Sequence, residues 1–228
     1  MKYSVVLIDL DDTLLDFGAA SSASLKSLME SCGRRISPCE LGRFEEINAG
    51  CWRELEKGLI TRDELSKKRF EIFFSELGLE YDPLEANTRF RLGLSESAVL
   101  MPGALELCQK LSKMCSLYVV TNGFMETQAR RIKTSGLEGL FDGVFASQAI
   151  GYTKPDPRFF AYVLNSLGHD KKDKTIILGD SLSSDIEGGT SAGIDTCWYN
   201  PKELPGGEEC SYIISSLDDF IPLVMKSK

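Results

Sequence analysis

The chain has 228 residues, with 26 Lys and Arg against 34 Asp and Glu for a formal charge of −8, and 43% hydrophobic residues. That balance excludes wholesale disorder and argues against a protein that grips a nucleic-acid polymer through surplus cations. It leaves open a small phosphorylated ligand held in a locally positive pocket, in a chain long enough to bury roughly seven-tenths of its unfolded surface without a disulfide or metal staple.

Tyr3 to Ile8 opens as a short run apolar on both faces, the pattern of a strand inside a parallel sheet. Only helical patterns follow, up to about residue 100. The first covers Ala19 to Cys32. The second starts at Ser37-Pro38, a capping serine ahead of a proline at the first helical position. The third starts with the capping box Thr61-Arg62-Asp63-Glu64 and carries Leu65, Phe70, Phe73, Phe74 and Leu77; the fourth follows Asp82-Pro83. About eighty residues of helix after one strand exceed an ordinary crossover. They predict an inserted α-helical cap domain over 16–96, in a core made of 1–15 and 97–228, with joints near Asp16 and between Ser95 and Met101.

Beyond the insert, strand-like runs (Leu117 to Val120, Gly143 to Ala146, Thr175 to Leu178, Asp195 to Tyr199, Ser211 to Ile214) recur. Helical patterns over Pro102 to Lys113, Thr127 to Ser135 and Pro157 to Leu167 separate most of them, and Gly136 and Gly168 close the last two. The alternation predicts an α/β core, a Rossmann-like doubly wound parallel sheet.

Such sheets bind ligands beyond the carboxyl ends of their strands. Asp9-Leu10-Asp11-Asp12-Thr13 follows the first run, Thr121-Asn122-Gly123 the second, and Gly179-Asp180-Ser181 the fourth, with Asp185 close behind. Lys154 stands in the loop Gly151 to Pro157 between the third and fourth runs. Three carboxylates within four residues resist ionising together, and a hard cation such as Mg²⁺ relieves the conflict. Where the chain turns at the strand exit, Asp9 and Asp11 can both approach one reaction centre.

The segment Asp9 to Thr13 resembles the DxDxT signature of the haloacid dehalogenase superfamily of aspartate-based phosphohydrolases. The likeness continues in order through Thr121, Lys154 and Gly179-Asp180 to Asp185, over nearly the whole chain, and the helical insert looks like the cap of the superfamily's first subfamily. The resemblance implies that Asp9 is the nucleophile, forming an aspartyl-phosphate. It implies that Asp11 is the acid for the leaving alcohol and then the base for water. Thr121 and the Asn122 backbone N–H would bind phosphoryl oxygens, and Lys154 would neutralise charge on Asp9 and on the phosphoryl group. Mg²⁺ would be held by Asp9, the backbone carbonyl of Asp11 and Asp180, while Asp185 orients the metal's waters or Lys154.

Asp11 separates chemistries: a halide leaves without a proton and an alkoxide does not, so an acid at this position favours phosphate esters over haloacids. The stretch Cys51 to Thr61, with Arg69-Phe70 and Gly193 to Asn200, looks like bacterial pyrimidine 5′-nucleotidases. The expected substrate is therefore a nucleoside 5′-monophosphate, with Phe17 or Trp52 available to stack on a base and Arg53 to contact a sugar or carbonyl. A phosphatase or mutase of small sugar phosphates or phosphoglycolate, and an inert binding protein of the same fold, stay as alternatives. Lys26, Lys57, Lys67 and Lys68 read as solvated helix faces.

The lone His169 reads as a surface turn residue, and with no CxxC among seven cysteines neither a zinc site nor a Cys-His or Ser-His-Asp arrangement is expected. The cysteines read as free thiols buried as small hydrophobes in a reducing cytoplasm. No run has the length of a signal peptide's apolar core or of a membrane span, so the expectation is a cytoplasmic protein that does not enter membranes.

Overall fold

The computed structural model describes residues 1–225, without the side chains of 169–171, so the expected surface turn at His169 lies outside the described residues. Six parallel strands, β1 (Val5–Ile8), β2 (Ser116–Thr121), β3 (Gly143–Ala146), β4 (Thr175–Gly179), β5 (Asp195–Tyr199) and β6 (Tyr212–Ile214), form one sheet in the order β3-β2-β1-β4-β5-β6. The order reverses at β1, the crevice where doubly wound sheets present ligand sites. Both faces of the sheet are covered. Val6 and Ile8 pack with Leu107, Leu117 and Leu178, and Val5 and Leu7 with Val120, Phe159, Phe160 and Ile177. Double-sided burial is why β1 and β4, buried throughout, read as nearly continuous apolar runs.

Four helices lie between β1 and the rest of the sheet: α1 (Phe17–Ser31), α2 (Pro38–Glu56), α3 (Arg62–Leu77) and α4 (Pro83–Glu96). Both expected serine and threonine caps form: Ser37 and Thr61 each accept the backbone N–H three residues on, and Glu40 and Glu64 reach back to complete capping boxes. The core of these helices is aromatic. Phe44 lies 5.3 Å from Phe70, 5.2 Å from Phe73 and 5.3 Å from Phe90, centroid to centroid, within the range of favourable edge and tilted ring contacts. The chain divides into two compact units, Gly18–Ala98 and the remainder, Met1–Phe17 with everything from Val99 onward. At the boundary the two passing chains pair, Asp16 N–H to Val99 O at 2.9 Å and Met101 N–H to Leu14 O at 2.9 Å.

The remaining helices are α5 (Ala104–Leu111), α6 (Met125–Thr134), α7 (Ser147–Ile150), α8 (Pro157–Leu167), α9 (Glu187–Ala192) and α10 (Phe220–Met225). α5 starts two residues later than the pattern suggests, because Gly103 takes a left-handed backbone (φ 81°) ahead of it. α7, α9 and α10 were not anticipated, being shorter than the two turns a helical period needs to show itself. The cysteines need a correction as well. All seven are free, but only Cys51, Cys108 and Cys197 are buried, and Cys39 is exposed on the first turn of α2. No helix among the described residues is long and apolar enough to cross a membrane.

Phe70 is fully buried between Phe44, Phe74 and Phe90. Phe70→Ala is expected to destabilise the protein by about 3–5 kcal/mol through lost burial and the cavity left behind, measured by chemical denaturation; a loss below about 1 kcal/mol would contradict this packing.

Candidate active site

Register brings the sequence motifs together. Ile8, the last residue of β1, pairs with Val119 on one side and Leu178 on the other, so Asp9 emerges beside the last residues of β2 and β4. Asp9 extends β1 by donating its N–H to Leu178 O at 2.9 Å. Thr121 ends β2, and Asp180 follows the last residue of β4. Lys154 reaches this point from the loop after α7. Its Nζ donates to Asp9 Oδ1 and Asp185 Oδ1, each at 2.6 Å, and to Val120 O at 2.9 Å. Lys154 and Asp185 are each 1% exposed and Asp9 6%.

Asp185 lies on an irregular turn, Leu182–Ile186, in which the Ser184 N–H donates to Ser181 Oγ at 3.2 Å. It comes close enough to β4 that a Cβ on Gly179 would stand 2.3 Å from its Cγ, so only glycine fits there. Asp180 accepts from Thr13 Oγ1 at 3.4 Å, and its carbonyl accepts from Trp198 Nε1 at 2.7 Å. An open cleft lined by Asp12, Asp16, Met101, Trp198 and Asn200 leads to Asp180 from solvent.

Each of Asp9, Asp180 and Asp185 has an oxygen within 4.8 Å of the other two. Burial pushes the Asp9 carboxyl up to about 8; Lys154 pulls the other way, and the charges of Asp185 and Asp11 add to the rise. Asp180 is raised well above the ordinary range for the same reasons, burial first and then the neighbouring Asp9 and Asp185. Burial opposes the charge on Lys154, but Asp185 and Asp9 outweigh it and hold the ammonium above its usual value. Three carboxylates facing one ammonium form an all-oxygen group with an excess of negative charge, which could hold a divalent cation.

Thr121 is buried, its Oγ1 accepting from Gly123 N at 3.0 Å and Gln128 Nε2 at 3.1 Å. The Asn122 side chain brackets Lys154 through both backbone groups, Nδ2 to Lys154 O at 2.9 Å and Lys154 N to Asn122 Oδ1 at 2.8 Å. Asn122 thus aims the lysine with its side chain, a use its place after β2 does not advertise.

The Asp11 carboxylate is not part of the acidic cluster. It turns toward α6, where Arg131 Nη1 donates to its Oδ1 and Gln128 Nε2 to its Oδ2, the latter at 2.6 Å. Neither Gln128 nor Arg131 stood out in the sequence. They stand three apart on the helix face that also buries Thr127 and Ile132, where apolar residues are the expectation.

In the helical unit, Arg69 is buried between Asn48 (2.8 Å) and Asn87 (2.6 Å), with the rings of Phe70 and Phe90 5.4 and 5.1 Å away. Trp52 is half-buried with the Arg62 guanidinium 5.9 Å from its ring, and Arg53 is exposed. Lys26, Lys57 and Lys67 are exposed, and Lys68 pairs with Glu54 at 2.6 Å.

A parallel sheet with its switch point at β1 thus carries there a buried aspartate against one lysine and two further carboxylates. The chain belongs to the haloacid dehalogenase-like hydrolase family, matching it over residues 3–193. It is 38% identical over 221 residues to the HAD-hydrolase YfnB of Bacillus subtilis, covering 96% of this chain and 94% of that one. The crystal structure of YfnB bound to magnesium has a TM-score of 0.92 to it at 36% identity, covering 99% of this chain and 100% of that one. Two pyrimidine 5′-nucleotidases are also similar. PynA of Streptococcus pneumoniae is 34% identical over 230 residues (100% of this chain, 97% of that one), and YjjG of Escherichia coli 29% over 228 (99% and 100%).

Without a divalent cation, the folded protein holds protons on Asp9 and Asp180 that the unfolded chain releases near pH 4. Their contribution to stability therefore falls as pH rises from about 4 to 8. Added Mg²⁺ is expected to raise the Tm over that in chelator by an amount that grows from pH 5 to pH 8; a difference that shrinks with pH would contradict the assignment.

Proposed function

We propose that this protein is a Mg²⁺-dependent phosphomonoester hydrolase that works through an aspartyl-phosphate on Asp9 and acts on nucleoside 5′-monophosphates, those of pyrimidines first. The observation that carries the reading is the divergence of two carboxylates from one strand end. Asp9 turns into the buried cluster with Lys154, and Asp11, two residues on, turns the other way onto a cation and an amide. This divergence supports the reading of Asp9 as the group that bonds to phosphorus and of Asp11 as the one that handles the proton of the leaving group.

In the first step an Asp9 carboxylate oxygen attacks phosphorus, the ester P–O bond breaks, and the Asp11 carboxyl gives its proton to the departing alkoxide. In the second step water attacks phosphorus, its proton passes to the Asp11 carboxylate, and the acyl-phosphate P–O bond breaks to release inorganic phosphate and restore Asp9. The Thr121 hydroxyl and the Asn122 N–H hold phosphoryl oxygens, and Lys154 offsets the charge that gathers on Asp9 and the phosphoryl group. Mg²⁺, held by Asp9, the Asp11 carbonyl and Asp180, supplies further neutralisation when bound. Asp185 orients Lys154, which it contacts directly.

The magnesium in the YfnB crystal structure supports the choice of metal, and the activities named for PynA and YjjG support the choice of substrate. We assign residues 16–96 as the cap that selects the substrate, with Phe17, Trp52 and Arg53 as its contacts. A cytoplasmic setting accords with seven free thiols.

Phosphate release should be measured with and without Mg²⁺ on nucleoside 5′-monophosphates, sugar phosphates and phosphoglycolate. Selective, metal-dependent release from pyrimidine 5′-monophosphates is expected, and Asp9→Asn should abolish it with the fold retained. Release concentrated on sugar phosphates would keep the chemistry and discard the nucleotide preference; an active Asp9→Asn would overturn the covalent scheme. In the same assay Asp11→Asn should lower kcat/KM for a nucleotide by about 10²–10⁴-fold and for an aryl phosphate, whose leaving group needs little protonation, by far less. Equal losses would remove Asp11 as the acid.

A further inference from the structure

We propose that Arg131 and Gln128 on α6 are positioning residues that fix the Asp11 carboxylate in line with the phosphate-binding Thr121; the inference rests on the phosphatase reading above. Asp11, Arg131 and Gln128 form a closed ring, and Thr121 is joined to it through Gln128. Arg131 Nη1 donates to Asp11 Oδ1 and, at 3.1 Å, to Gln128 Oε1. With its oxygen already accepting from Arg131, the Gln128 amide must turn its two N–H donors toward Asp11 Oδ2 (2.6 Å) and Thr121 Oγ1 (3.1 Å). Both Asp11 oxygens are therefore held, and the same amide that holds one of them holds the Thr121 hydroxyl. The place of the proton carrier is set from α6, not by the turn on which Asp11 sits.

Two further observations point the same way. Arg131 and Gln128 are 1% and 2% exposed, yet Nε and Nη2 of Arg131 are buried with no acceptor among the described residues. An arginine left with unused buried donors is a poor way to fasten a helix to a sheet, since an apolar residue of similar volume is often neutral or stabilising in its place. Its retention is explained by Asp11. The loop after β2 is also shaped for the ring. A Cβ on Gly123 would lie 2.3 Å from Gln128 Nε2, so the backbone passes where only glycine leaves room for the amide. Phe17 covers the guanidinium, with Arg131 Cζ 6.0 Å from its ring centroid.

The test compares kcat/KM, which reports the step that breaks the ester bond, for uridine 5′-monophosphate and p-nitrophenyl phosphate with Mg²⁺. Arg131→Met is expected to lower it by about 10–100-fold on the nucleotide and by less than about threefold on the aryl ester. Arg131→Lys should recover much of the nucleotide loss, because an ammonium can still donate to Asp11 Oδ1. Gln128→Leu, which also frees the Thr121 hydroxyl, should lower both esters but the nucleotide by the larger factor, and that difference decides the matter if Arg131→Met does not fold. Equal losses on the two esters, or no loss, in a folded variant would overturn the proposal while leaving the phosphatase reading intact. Wild-type protein that releases no phosphate from either ester would overturn that reading and this proposal with it.

Discussion

The Lys154 ammonium has three protons to donate, and the structure supplies three acceptors for them: Asp9, Asp185 and the Val120 carbonyl. Almost no water reaches it. Removing one partner from a buried, hydrogen-bonded pair leaves an uncompensated charge, typically a loss of about 3–5 kcal/mol. This one contact therefore constrains much else. β1 and β2 must be neighbours in this register, so that Asp9 and the Val120 carbonyl face one point. Asn122 must hold the backbone of Lys154 on both sides. The turn after β4 must fold back far enough to deliver Asp185, which leaves no room for a side chain at Gly179.

Charge division within one short turn is the second organising feature. Asp9 and Asp11 leave the same strand end, and their surroundings share no side-chain partner. Asp9 is surrounded by carboxylates and one lysine, which makes its ionisation costly until cations gather. Asp11 is surrounded by donors. Two identical functional groups acquire different chemistry because β1 stops where the sheet's two halves diverge.

Much of this was legible in the amino-acid order. The sheet could be read because its strands are buried on both faces and so stand out as short apolar runs between capped helices. The residues that gather beyond β1 could be read because the first, second and fourth runs are followed directly by polar side chains: Asp9, Thr121 and Asp180. Other features lay beyond one-dimensional inspection. Gln128 and Arg131 are polar residues on a helix whose inward face is expected to be apolar, so they pass for solvent-facing ones until Asp11 is seen opposite. That Asp185 meets Lys154 depends on an irregular turn, which has no period to detect. Composition alone describes the cysteines as a class and could not separate buried Cys108 from exposed Cys39.

The central strand also has a history that its finished surroundings conceal. β1 is made first, yet Val5 pairs with Ser116 on one side and Thr175 on the other. During synthesis an apolar segment that needs cover on both faces must wait while the four helices after it emerge. Those helices contact one another over short sequence separations, so they can fold early and locally. The sheet closes only when the final third of the chain has appeared. Nascent chains halted before Thr175 would leave the β4 side of β1 as an open strand edge, the kind of edge that favours aggregation.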